Sequence, residues 1–259
     1  MPKVIYEKKE GVAYITLNRP EVMNVMDFET VETLHNIWED FKEDDSLRVA
    51  VMTGAGGNFC AGSDISEMAG SLKDVVFNYT KSHCHGPINY NPLQHKVYKP
   101  VITAVDGNVN GGALLFVLLS DIRIATREAS FGLGEVMINF PVEFSGILPR
   151  FMPFGLASEM LLSARRVSAQ RFYDLGIVNT IVDRDELMNE AEKAAKQVCQ
   201  GGPLAISAMK RLLLDGFDMD YESIVKYEDA VVSPVVNSED TKEAITAFVE
   251  KRKPVWKGR

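Results

Sequence analysis

The chain has 259 residues, 46% of them apolar and 25% charged, and 28 basic against 36 acidic side chains leave a net charge of −8. That composition excludes collagen, coiled coil and wholesale disorder, and a chain of this length buries roughly three quarters of its extended surface without a disulfide or metal staple. An acidic chain with no basic domain is a poor match for a phosphate backbone, so nucleic acid is disfavoured, and no apolar run is long enough to span a bilayer.

In chain order, Met1-Pro2-Lys3-Val4 enters a strand pattern at once, which leaves no room for a signal peptide. Val12–Leu17 is apolar and β-branched, a strand that Asn18-Arg19-Pro20 breaks. Asp27 is placed to cap a helix whose apolar residues Phe28, Val31, Leu34, Ile37, Trp38 and Phe41 recur at helical spacing. Val49–Thr53 predicts a buried strand ending at Gly54-Ala55-Gly56-Gly57. Residues 63–82 read as helical or mixed, and 83–99 as a polar loop. A strand over Val101–Val105, a very apolar helix over Ala113–Leu119 and a strand over Ile122–Ala125 come next. Strands alternating with helices imply βαβ units and a largely parallel sheet. From about residue 150, helices are expected over 155–164, 168–175, 185–200, 203–215, 221–230 and 238–252. Residues 1–200 thus read as an α/β core and 201–259 as a helical C-terminal extension within one structural unit.

Cys60, Cys84 and Cys199 are scattered and odd in number, as reduced thiols are. The chain ends in Lys257-Gly258-Arg259 rather than a peroxisomal tripeptide, so a cytoplasmic location is expected. His83-Cys84-His85 and His95 lack a completing carboxylate or cysteine at ligand spacing, so no metal is expected and they read as loop residues.

Two glycine-bearing turns stand out: Phe59-Cys60-Ala61-Gly62-Ser63-Asp64-Ile65, and Gly107-Asn108-Val109-Asn110-Gly111-Gly112-Ala113. Each, alone, is explained as a tight packing turn. On neighbouring strands, the pair can aim two backbone N–H groups at one oxygen, forming an oxyanion hole. Neither has the spacing of a phosphate-binding loop.

These residues resemble the crotonase (enoyl-CoA hydratase/isomerase) superfamily over almost the whole chain. Leu17-Asn18-Arg19-Pro20 through Asn24 is similar to its L-N-R-P-x-x-x-N segment, and Phe59–Ile65 to its F-x-A-G-x-D-[IL] signature. Lys99–Val105, Ala104–Gly112 with Ser120–Ala125, and Thr246–Pro254 continue in the family's order. The resemblance implies an α/β fold, a crotonase-like spiral of ββα units with an α-helical C-terminal region. It implies an acyl-CoA thioester as substrate, no cofactor beyond the coenzyme A it carries, and a homotrimer or hexamer with no membrane or nucleic-acid partner. By position, Ser63 and Gly112 become the oxyanion donors. Val22, Met23, Ala61, Asp64 and Ile65 fall on the adenine and pantetheine path, and Lys251 near the coenzyme A phosphates, where a solvated helix-end charge explains it equally well.

The acids and bases depart from the hydratase pattern. Leu115 stands where hydratases carry one glutamate, whereas the second is present as Glu135. Glu143, eight residues on, matches a catalytic acid of some dienoyl- and enoyl-CoA isomerases. A carboxylate among Ile138, Phe140, Val142 and Phe144 would be desolvated and its pKa raised, as suits a base that moves a proton α to a thioester. Holding water for addition takes two groups, whereas shifting a double bond takes one base. The leading expectation is therefore an enoyl-CoA isomerase with Glu135 as proton shuttle and Glu143 as a second acid/base. The alternatives are a hydratase or dehydratase, CoA- or carrier-protein-linked, using Glu135 with Glu143, and a non-catalytic thioester-binding module.

Overall fold

The computed structural model describes residues 1–65, 91–92, 95–142 and 144–259. Its main sheet has six strands: β1 (Val4–Lys9), β2 (Val12–Leu17), β3 (Val49–Gly54), β4 (Val101–Val105), β6 (Ile122–Thr126) and β9 (Thr180–Val182), side by side in that order. Only β1 and β2 run antiparallel; every other neighbour is parallel. A second, three-stranded sheet orders β5 (Asn108–Asn110), β7 (Ser130–Gly132) and β8 (Val167–Ser168). The strands of this small sheet are two or three residues long, too short to leave a periodicity in the sequence.

Parallel strands covered on both faces are apolar on both faces, and the central strands behave so. Along β2 and β3, Ala13, Ile15, Ala50 and Met52 enter the larger core, while Val12, Val49 and Val51 point to the other side. On that other side, α5 (Leu187–Gln200) lays Leu187, Ala191 and Ala195, one per turn, against Ile102, Ala104 and Ile124. The larger core is closed by α1 (Phe28–Glu43) and α2 (Ala113–Leu119). Asp27 caps α1 by accepting the Thr30 N–H at 2.9 Å, and Leu34, Ile37, Trp38 and Phe41 are buried on one stripe. Phe28, expected on that stripe, is exposed. All seven residues of α2 are buried.

The C-terminal region is helical, as expected: α3 (Phe154–Ser163), α4 (Ala169–Asp174), α5, α6 (Pro203–Asp215), α7 (Tyr221–Val236) and α8 (Glu239–Val249). The penultimate helix runs six residues further than its sequence pattern predicts, through Pro234, and the last stops at Val249 rather than 252. The extension is stitched to the core by partly buried polar contacts. Lys210 on α6 donates to Asp121 at 2.8 Å and to the Lys99 carbonyl at 2.9 Å, and Arg48 donates to the Gly201 carbonyl at 2.6 Å. His95 is buried against α1, its Nδ1 at 2.6 Å from Glu39. Tyr98 turns its hydroxyl towards Asp215 of α6. The sequence readings for residues 66–90, His83, Cys84 and His85 among them, lie outside the described residues. Among the described residues, no helix is long and apolar enough to cross a membrane.

Candidate active site

The first turn is built on Asn24. This residue is 1% exposed, sits at φ +57°, and donates from Nδ2 to the carbonyls of Ala55 (2.9 Å) and Asn58 (2.7 Å) while accepting the Arg19 N–H (2.8 Å). It thereby ties the 19–26 segment to the loop after β3. That loop then zips onto β5: the Cys60 N–H donates to the Asn108 carbonyl at 3.1 Å, and the Asn110 N–H to the Cys60 carbonyl at 3.0 Å. Beyond it, Met26 and Ser63 face each other in a parallel bridge. Met26 receives the Asp64 N–H (2.9 Å) and donates to the Gly62 carbonyl (2.8 Å), so the backbone N–H of Ser63 itself points away from Met26. Among the described residues it has no backbone partner.

The second turn leaves β5 and opens α2. The Gly111 N–H donates to the Gly132 carbonyl at 3.0 Å, which pins the turn to β7, while the next N–H, that of Gly112, has no backbone partner among the described residues. Gly62 (φ +99°) and Gly111 (φ +56°) abut. A Cβ built on Gly111 would lie 3.9 Å from Gly62 Cα, and one built on Gly62 would lie 3.0 Å from the Asn110 carbonyl oxygen. Glycine is needed at both places because the backbone is left-handed and another chain segment presses on it. The residues immediately after them, Ser63 and Gly112, are thus brought to one place.

Glu135 completes the group. It opens a 3-10 turn (Glu135–Ile138) three residues after β7, and its Oε1 would lie only 2.6 Å from a Cβ on Gly111. Its Oε2 is buried with no hydrogen-bond partner among the described residues. Burial pushes the carboxyl above its ordinary pKa, and the backbone N–H groups of Glu135 and Gly134 offset only part of that. A half-buried carboxylate with one oxygen buried and unpartnered, close to two N–H groups that have no backbone partner among the described residues, is costly to keep for structural reasons alone. Of the apolar residues expected around Glu143, Ile138 is exposed while Val142 and Phe144 pack against the core.

The remaining candidates divide in two. The Ala61 N–H donates to the Met23 carbonyl at 3.0 Å and Arg19 reaches Asp64 at 3.3 Å, so Val22, Met23, Ala61, Asp64 and Ile65 form one rim beside Ser63. Val22, Met23 and Ile65 expose apolar side chains there. Asp27 braces the rim: burial raises its pKa, but the Lys3 and Thr30 hydrogen bonds and the Arg19 charge outweigh that and hold it at about 2. Lys251, at φ +55°, lies on the exposed turn after α8, and its N–H donates to the Phe248 carbonyl. Among the described residues, no backbone hydrogen bond joins that turn to the rim within one chain. Leu115, three residues into α2, is buried and apolar. Glu143 lies outside the described residues. The sequence reading missed Asn24 as the anchor of the first turn, although it closes the L-N-R-P-x-x-x-N segment.

Residues 7–259 match the family described as enoyl-CoA hydratase/isomerase. The chain is 36% identical over 259 residues to the (E)-benzylidenesuccinyl-CoA hydratase of Thauera aromatica, covering 98% of this chain and 99% of that one. It is also 36% identical over 259 residues to a carnitinyl-CoA dehydratase of Escherichia coli, covering 96% of each. Among solved structures it resembles an enoyl-CoA hydratase from Mycobacterium tuberculosis H37Rv, with a TM-score of 0.90 at 30% identity over all of both chains.

Proposed function

Because the chain belongs to the enoyl-CoA hydratase/isomerase family and processes acyl-CoA thioesters, we propose that it is a hydratase or dehydratase, adding water to a 2-enoyl thioester or removing it from a 3-hydroxyacyl one. The observation that carries this is the Glu135 carboxylate, one oxygen of which is buried without a partner among the described residues, set against the turn that presents the Gly112 N–H. The names of the relatives favour water chemistry over the isomerisation expected from the sequence.

In the forward direction, the oxygen of water bonds to Cβ of the enoyl group as Glu135 takes one of its protons. The π electrons move onto the thioester oxygen, and the enolate is held by the N–H groups of Ser63 and Gly112. Return of that proton from Glu135 to Cα restores the carbonyl and leaves a 3-hydroxyacyl thioester. The two donors do their work in the enolate, where charge has developed, and need not reorganise to do it. A carboxyl whose pKa is raised above its ordinary value is the stronger base for taking the proton from water.

Isomerisation is the second reading, and Leu115 favours it. With an apolar side chain where a second carboxylate would help hold water, Glu135 alone would shuttle a proton between Cα and Cγ of a 3-enoyl thioester. A homotrimer or hexamer belongs to the same proposal. Leu213, Phe217, Tyr221, Ile245, Phe248 and Val249 expose apolar surface over the C-terminal helices, of the kind subunit contacts cover.

Mass spectrometry of the enzyme with crotonyl-CoA and, separately, with a 3-enoyl-CoA tests the choice. Gain of one water by crotonyl-CoA, lost in Glu135→Gln while coenzyme A affinity stays within twofold, is the expected result. Conjugation of the 3-enoyl ester with no hydration would make the enzyme an isomerase. Tight coenzyme A binding with neither ester changed would make it a thioester-binding module.

A further inference from the structure

We propose that Arg166 is a positioning residue that sets the distance between the Gly112 N–H and the Glu135 carboxylate; this rests on the proposed function, in which both groups work on one thioester. Arg166 lies in the loop between α3 and β8, far in sequence from either group. Its guanidinium nevertheless clamps the two strands from which they emerge. On the β7 side, Nε donates to Ser130 Oγ at 2.8 Å and Nη2 to the Ser130 carbonyl at 2.6 Å. On the β5 side, Nη2 donates to Asn108 Oδ1 at 3.1 Å and the Val109 carbonyl at 3.4 Å, and Nη1 to Asn110 Oδ1 at 3.4 Å.

The clamp matters because each strand leads directly into one of the two groups. β5 ends at Asn110, and the next two residues are Gly111 and Gly112. β7 ends at Gly132, three residues before Glu135. The two strands pair over only three residues, Asn108–Ser130, Val109–Phe131 and Asn110–Gly132, a ladder too short to hold its own register rigidly. The planar fork supplies the missing rigidity, with donors fixed in direction relative to each other. It also presses on Gly132: a Cβ there would meet Arg166 Nη1 at 2.7 Å. Among the described residues the guanidinium makes no ion pair within 4.0 Å, so its donors serve this clamp and not a surface salt bridge. The residue as a whole is exposed, with the fork turned inward, so its removal opens a solvent-accessible slot and no hole in the core.

Arg166→Ala and Arg166→Lys in the full chain test this. Steady-state kinetics on crotonyl-CoA should show kcat falling tenfold or more in both variants, with KM within threefold, because the coenzyme A rim rests on other segments. Methylguanidinium added to Arg166→Ala should restore kcat several-fold by refilling the slot. The ultraviolet absorbance of enolised acetoacetyl-CoA, bound to Arg166→Ala, should weaken relative to the wild type. If Arg166→Ala does not fold, Arg166→Lys carries the same kcat-against-KM test. A kcat within threefold of the wild type, or parallel loss of kcat and of coenzyme A affinity with no rescue, would overturn the assignment. A wild type inactive on every enoyl ester would sink the functional reading instead, and the enolate spectrum would still report on Arg166.

Discussion

Gly111→Ala probes the site through a single methyl group. The added Cβ would stand 2.6 Å from Glu135 Oε1 and 3.5 Å from Glu135 Cδ, with backbone only at 3.9 Å. The side chain of Glu135 is the softer partner, so its carboxylate must retreat by roughly 0.8 Å to reach an ordinary carbon–oxygen contact. A displacement of about 1 Å at a reacting group costs on the order of 100-fold in rate, or ~2.7 kcal/mol of barrier. Alanine at φ +56° adds backbone strain of about 1–2 kcal/mol, lowering the melting temperature by roughly 2–8 °C in a chain of this size. Gly176→Ala separates the two effects. It carries the same left-handed strain at φ +72° with nothing within 4 Å of its Cβ. Crotonyl-CoA kinetics with thermal melts of both variants should therefore show equal destabilisation, and loss of kcat in Gly111→Ala alone. A Gly111→Ala enzyme with kcat within threefold of the wild type would refute the placement of the carboxylate against this turn.

The same contacts set further outcomes. Burial raises the Glu135 pKa, so a base at this position switches on only as pH rises through a value above the ordinary carboxylate range; a kcat profile flat down to pH 4 would contradict this. For stability the sign reverses: ionised Glu135 is a burden, so Glu135→Gln should melt higher than the wild type at pH 8, with the gain shrinking as pH falls and Glu135 is protonated. Asp27 runs the other way. Held at about 2, it contributes stability above its unfolded pKa near 4 that is lost between roughly pH 4 and 2, and Asp27→Asn should flatten that part of an acid-unfolding curve. Asn24→Ala removes three partly buried hydrogen bonds and puts alanine in a left-handed conformation that asparagine tolerates, and should cost ~2–4 kcal/mol in urea unfolding; a cost under ~1 kcal/mol would show the first turn holds without it. Lys210→Met leaves Asp121, itself about a third exposed, without its cation, and should cost ~1–3 kcal/mol by the same assay.

What local sequence determines here is what short-range physics can carry. The cap at Asp27, the stripe from Leu34 to Phe41, the two-faced apolar strands and the unbroken apolar run of α2 each depend on neighbours within one or two turns or pleats. They were legible, and so was the order of the motifs that resemble the family. The positions of Ser63, Gly112 and Glu135 could be read by that resemblance, because each lies beside a glycine-bearing turn. The small sheet could not be read, since strands of two or three residues have no period to show. Nor could the meeting of Gly111 with a carboxylate 24 residues away, the orphaned Oε2 of Glu135, or the clamp that Arg166 closes across 36 and 58 residues to Ser130 and Asn108. Those contacts join segments with no local preference for each other. They exist because packing of β5 against β7, and of both under the loop before β8, leaves those groups no other place to be.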